Sequence, residues 1–192
     1  MSHGGSSEID LYNIALNFLG AENVMDPAQL TESALIMASL YPAVRDSVLR
    51  AHPWNCALER ARLAANVEVP AWGFSVQYQL PSDPWCLRVF RLEDNTIPYK
   101  VEGRRLLCDE AGPLNILYIA RLHDVGQFDA LLLQAVAARL AFAAAYRITN
   151  NDDMTKRSWE WYEKLLSEAR SIDGQEGTPE GYEADDFLNS RM

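Results

Sequence analysis

The sequence predicts an α+β fold: a bundle of about four helices carrying an inserted small antiparallel β module, then a flexible acidic C-terminal tail. Three observations predict it. Apolar residues recur every three to four positions over residues 8–60 and again over 124–172, the spacing of a helix face. Between about 62 and 121 they alternate or cluster in short runs bounded by Pro, Gly and Asp, as strands do. After Ile172 the periodicity stops. The chain therefore reads as one domain, residues 1–172, and an extended tail, residues 173–192.

The expected helices cover about 8–20, 27–60, 124–149 and 153–172. Ser7 caps the first, with Asp10 three residues on as a capping-box variant. Ile9, Tyr12, Leu16 and Leu19 form its apolar face, and Gly20 suits a left-handed stop. Asp26-Pro27 opens the second helix, with Thr31 as an alternative cap. Leu30, Ala34, Met37, Tyr41, Val44, Val48 and Leu49 are its buried stripe, Pro42 should kink or split it, and Pro53 ends its main run. A short helical turn then covers Trp54 to Arg60.

Candidate strands are 74–80, 86–92, 97–101, 104–108 and 115–121. Glu102-Gly103 marks a tight hairpin, and spacing this short fits an antiparallel sheet, not a βαβ fold. Asp124 then opens a long helix to about Thr149. It is apolar nearly all round and rich in alanine, so it should be the central, most buried helix. The last helix places Trp159, Tyr162, Leu166 and Ala169 on one face.

Composition bounds the function. Apolar content of 48% over 192 residues supports a real core. The net charge of −10 argues against a phosphate-binding surface, because nucleic-acid affinity comes mainly from Lys and Arg. The acidity is still compatible with a surface that lies near DNA without sticking to it. Cys56, Cys86 and Cys108 are widely spaced with no C-x-x-C pair, which argues against zinc or a disulfide framework and fits a reducing cytoplasm. No apolar signal core stands at the N-terminus. The most apolar window, 130–146, is shorter than the roughly 20 residues of a membrane span, so a buried helix is expected.

No constellation of catalytic, cofactor-binding or metal-ligating residues stands out. His52 near Cys56 is the pattern of a base beside a thiol nucleophile, but the two flank Pro53-Trp54, where a packed turn accounts for them. Asp83, Glu93, Asp94 and Asp109 are carboxylates at strand ends or turns, where Asp is common anyway. Arg88, Arg91, Lys100, Arg104 and Arg105 cluster on the β module. With Glu93, Asp94 and Glu102 interleaved, they read as a solvated face or protein interface before a nucleic-acid patch. Trp54 reads as core, and Trp72 as interface or loop packing. The 173–192 tail carries six acids against one Arg. Tyr182, Phe187 and Leu188 are apolar anchors within it that could dock on a partner.

The order of motifs resembles a known family. His52-Pro53-Trp54, Tyr78-Gln79-Leu80-Pro81-Ser82-Asp83 with Leu87-Arg88-Val89, Val101-Glu102-Gly103, Tyr118-Ile119 leading to Phe128, and Ala138-Arg139-Leu140-Ala141 follow one another over roughly 130 residues. Together with the first helix, Asn13 to Gly20, they resemble the head-to-tail adaptors of short-tailed bacteriophages, the tail tubular protein A family. The resemblance implies a virion structural protein of the tail, assembled in the host cytoplasm, with no catalytic residues and no cofactor. It implies a ring of twelve copies beneath the portal protein, through which DNA passes without specific binding, with the tail nozzle or next tail protein attached below. The free chain could still be a monomer, and no membrane is involved.

A ring of identical chains needs two different faces per subunit. Arg104, Arg105 and Trp72 are the candidate inter-subunit residues, with the acidic tail as a complementary face. Two rivals remain at this level. One is a virion-associated cell-wall hydrolase using Asp83 with Asp109; the other is a non-viral helical interaction module.

Overall fold

The computed structural model describes residues 7–24 and 31–176. Among the described residues it has the expected class: four α-helices and two small antiparallel sheets of three strands each.

Helix α1 (Glu8–Leu19) starts at the expected capping box, in which Ser7 Oγ accepts from Asp10 N and the Asp10 carboxylate accepts from Ser7 N at 2.8 Å. It stops at Gly20, whose φ of 65° is the left-handed conformation that favours glycine. Its buried face is Leu11, Tyr12, Ala15, Leu16 and Leu19; the expected Tyr12, Leu16 and Leu19 are among them, and Ile9 is half-buried. Asn13 then ties down the exit segment, accepting from Val24 N and donating to Val24 O.

Helix α2 (Glu32–Ala51) takes Thr31 as its cap; Asp26-Pro27 lies outside the described residues. Pro42 does not split it. One proline removes one backbone donor, and the buried row Met37, Tyr41, Val44, Val48 and Leu49 holds the turns on either side. The helix stops at His52 because the residue before a proline is pushed to extended backbone, here φ −142° and ψ 146°.

The expected helix to residue 60 ends at Ala51, a 3₁₀ turn covers Asn55–Ala57, and strand β1 (Leu58–Leu63) begins immediately. Leu58-Glu59-Arg60-Ala61-Arg62-Leu63 consists of good helix formers, and antiparallel pairing with the last strand of the module overrides that preference. Strands β2 (Val76–Gln79), β3 (Cys86–Leu92), β4 (Tyr99–Glu102), β5 (Arg105–Cys108) and β6 (Leu114–Ala120) fall where expected to within two residues or so. They form two sheets, ordered β1-β6-β3 and β2-β5-β4. Gly103 turns the β4–β5 hairpin at φ 57°.

The first sheet is the middle layer. One face buries Leu63, Val89, Leu92, Ile116 and Tyr118 in a cluster shared with Tyr78, Leu106 and Cys108 of the second sheet. The near end of its other face, Leu58 and Ile119, packs into the helical core.

Asp124 caps a 3₁₀ turn (Val125–Gln127) instead of the long helix, which is α3 (Ala130–Thr149), capped by Asp129. Leu132, Ala135, Val136, Ala137, Ala138, Leu140, Ala141, Ala144 and Ala145 are all but inaccessible. Among the described residues α3 alone has the length and composition of a membrane span. In this fold it is the central core helix, packed against α1, α2 and the final helix. That helix, α4 (Asp152–Asp173), buries Ser158, Tyr162 and Ala169, while Trp159 is 38% exposed.

Candidate interaction site

The β1–β2 connection is unusually apolar for a surface loop. Val67 is 102% exposed, Val69 69% and Trp72 88%. Beside them lies a groove of about 300 Å³ lined by Pro70, Trp72, Phe74, Lys100, Arg105 and Leu107. The structure thus brings Trp72 and Arg105 together. Arg105 reaches Glu68 at 3.7 Å and Gln77 Oε1 at 3.5 Å, and Lys100 pairs with Glu102 at 2.7 Å. The two ion pairs are exposed and of small energetic weight.

The two edges of the β2-β5-β4 sheet differ. The β2 edge is covered by its own loop: Asn66 N donates to Gln77 O, and the buried Gln77 side chain donates to Glu68 O. All four residues of β4, at the other edge, are exposed. β4 is short and carries Lys100, which guards an edge against indiscriminate pairing.

Arg104 is placed differently from Arg105. Its guanidinium stacks 3.7 Å from the Trp85 ring centroid and donates to Cys86 O and Pro81 O. It acts as a clamp inside its own chain. Trp85 is also approached by Arg121, whose guanidinium binds both carboxylate oxygens of Asp46 on α2. Asp46 holds Arg45 as well. The series Arg104–Trp85–Arg121–Asp46 joins the second sheet, the first sheet and the helices.

The residues expected in a tail from 173 onward divide. Asp173 is the last residue of α4, and its carboxylate accepts from Asn55 N at 2.9 Å and meets His52 Nε2 at 3.1 Å. Asn55 also donates to Asp173 O. The end of α4 is thereby latched to the Pro-Trp turn. A truncation after Glu176 is expected to keep the folded stability, whereas one after Ile172 should lose about 2 kcal/mol in urea unfolding. Tyr182, Phe187 and Leu188 lie outside the described residues.

Burial pushes the His52 imidazole below its ordinary value; Asp173 opposes this, and Arg170 and Arg88 reinforce it. A depressed imidazole contributes its full stability above the ordinary value of about 6.5, and that contribution is lost as pH falls through the lower folded value. Thermal melts of the native chain should therefore fall more steeply between about pH 7 and 5 than those of His52→Gln, which keeps a donor toward Asp173 but does not titrate.

The geometry bears on the catalytic candidates too. Burial raises the Cys56 thiol above its usual value, the opposite of an activated thiolate. Asp109 accepts from Ser75 N and Oγ, Asp83 stands in an exposed turn, and neither lines the groove. Among the described residues no group of three or more His, Cys, Asp or Glu is placed to hold a metal.

Sequence reasoning missed Arg60, which fell inside an expected helix, and Arg62, which stood at the start of the expected β module but in none of its candidate strands. Their two-residue spacing in Leu58–Leu63 is the signal that could have placed them on one strand face. The expected arginine cluster also divides: Arg88 and Arg91 belong to the first sheet, Lys100 and Arg105 to the second. The fold and these surfaces define an α+β chain whose most exposed apolar features sit on its β module. The sequence matches no family model and no curated protein.

Proposed function

We propose that the chain is a head-to-tail adaptor of a short-tailed bacteriophage, a structural virion protein that assembles as a ring between the portal protein and the next tail component. The observation that carries this reading is the Trp72 groove beside the open β4 edge. Val67, Val69 and Trp72 stand in solvent within one loop, and clustered exposed apolar residues mark protein-binding surface. Tryptophan and arginine are the residues most enriched among those that carry binding energy. The order of sequence motifs supplies the particular partner class.

The physical requirements of the role agree with the chain. A ring of identical copies needs head-to-tail contacts between two different faces, and the β module offers one that the helical bundle does not repeat. A net charge of −10 suits a channel through which DNA must slide, since phosphates are repelled where carboxylates outnumber cations. Function by stoichiometric binding also requires no cofactor.

The test is a surface variant. Trp72→Ala is expected to weaken assembly onto the portal ring by about 2 kcal/mol, roughly thirtyfold in affinity. Its folded stability should change by less than about 0.5 kcal/mol, because the ring makes almost no contact within the chain. Unchanged portal binding, measured by sedimentation of the mixture, would remove the groove from the interface.

A further inference from the structure

The first sheet carries a second surface of the opposite character. β6 is its central strand, and the pairing aligns Arg60 with Leu117 and Leu117 with Arg91. One step toward the helices, Leu58, Ile119 and Arg88 share a row; one step away, Arg62 pairs with Asn115. Arg60 and Arg62 face the same way because side chains alternate along a strand. Arg88 and Arg91 are three residues apart and would face opposite ways on a regular strand. The register shift between Val89 and Arg91 inserts the extra residue that brings both to one side. Four guanidiniums thus share a face, above a groove of about 210 Å³ whose lining includes Arg60, Arg91, Leu117 and Glu93.

Glu93 is the carboxylate in that lining, and it already accepts from Asn115 Nδ2 at 2.6 Å. Toward the helices, Arg88 and Arg170 both act on His52, and the Nε of each is buried with no hydrogen-bond partner among the described residues. Arg50 adds a further guanidinium there, donating to Leu87 O. On a chain of net −10, this is a concentrated positive surface.

The negative counterpart is in the same chain. Residues 177–192 carry Glu180, Glu183, Asp185 and Asp186 against Arg191, a net of −3, with Tyr182, Phe187 and Leu188 among them. Their point of departure is fixed by the latch, since Asp173 is bonded to His52 and Asn55, three residues before β1 begins. Those 16 residues reach at most roughly 55 Å when extended. The six residues of β1 span only about 20 Å. Tethering at so short a distance supplies an effective concentration on the order of millimolar.

We propose that the arginine face formed by Arg60, Arg62, Arg88 and Arg91 is the docking site of this chain's own acidic segment, residues 180–188, folded back in cis. The carboxylates meet the guanidiniums, which bind carboxylates through paired N–H donors. The apolar anchors cover the aliphatic arginine stems. In an adaptor the docked segment holds Tyr182, Phe187 and Leu188 away from partners until a competing surface displaces it. That consequence rests on the adaptor reading; the docking itself does not.

The test uses the full chain. Amide NMR spectra are compared between the native protein and a variant with Glu180→Gln, Glu183→Gln, Asp185→Asn and Asp186→Asn, changes that leave residues 7–176 untouched. The expected result is a set of shift differences concentrated at residues 58–62, 88–92 and 115–117. They should be independent of protein concentration and fall by more than half at about 0.5 M salt, where screening acts within a few ångströms. Arg60→Glu with Arg62→Glu should abolish the differences, and adding Glu183→Arg with Asp185→Arg should restore them, which a merely structural arginine pair would not do.

Four results would overturn the proposal: no differences on those strands, differences at the Trp72 groove instead, differences that disappear on dilution and so belong to a second copy, or a face that responds to a short DNA duplex but not to neutralising the segment. Each of them leaves the portal-binding test intact.

Discussion

Trp54→Ala is expected to remove about 3–5 kcal/mol of stability, a large part of the 5–15 kcal/mol that a domain of this kind possesses. Trp54 is 1% exposed and belongs to the helical core cluster. Its Nε1 donates to Val48 O, and the His52 ring meets it edge-on with centroids 4.6 Å apart. It sits where the chain leaves α2 and turns into β1, so the cavity would open at the joint between bundle and β module. Urea unfolding should show a lowered midpoint with an unchanged slope. Trp54→Phe separates the two contributions: it keeps most of the packing, loses the N–H to Val48 O, and should cost about 1–2 kcal/mol. A loss below about 1 kcal/mol for the alanine variant would refute the central packing role.

Arg104→Ala carries the second large effect. The side chain stacks on Trp85 and donates to two backbone carbonyls, Cys86 O and Pro81 O. Charge-assisted hydrogen bonds contribute about 1.5–3 kcal/mol, and the stacked cation adds about 0.5–2 kcal/mol. A loss of about 2–4 kcal/mol is expected by denaturant titration. Arg104→Lys should recover less than half of it, because an ammonium neither forks to two carbonyls nor lies flat on an indole. Arg105→Ala is the internal comparison. Its side chain is 50% exposed and its carboxylate partner lies 3.7 Å away, so stability should move by less than about 0.5 kcal/mol. Equal losses at the two neighbours would contradict the distinction between a clamp and a surface residue. Reversing both charges together, as an interface test, would confuse unfolding with lost assembly.

Much of the architecture was legible in the sequence because local chemistry and global fold agree there. Ser7 with Asp10, Gly20, the residue before Pro53, the Glu102-Gly103 hairpin and the alanine-rich core helix each follow from a steric or hydrogen-bonding rule that tertiary packing did not override. Two boundaries failed for the same reason. Residues 58–63 and 124–129 have compositions compatible with a helix, and only the pairing of β1 with β6 and a second aspartate cap at Asp129 decide them. A division into two sheets could not be read either, because which strand pairs with which is set by long-range contacts and not by the strands themselves.

The exposed surfaces were partly legible. Trp72 stands exposed and lines one groove with Arg105, whereas Arg104 next to Arg105 is held by Trp85. Arg104 lies in the turn and Arg105 opens β5, so a cluster in sequence became two places in space. The first-sheet arginines needed the β1 assignment and the β3 bulge, neither of which has a sequence signature strong enough to predict.

The adaptor reading is tested most directly by native mass spectrometry of the full chain, alone and mixed with the portal protein encoded by the same genome. The account predicts a complex with about one chain per portal subunit, whether the free chain is a monomer or already a closed ring. A folded chain that forms no ring and binds no portal would contradict it, and the Trp72 groove would then have to be assigned to another partner.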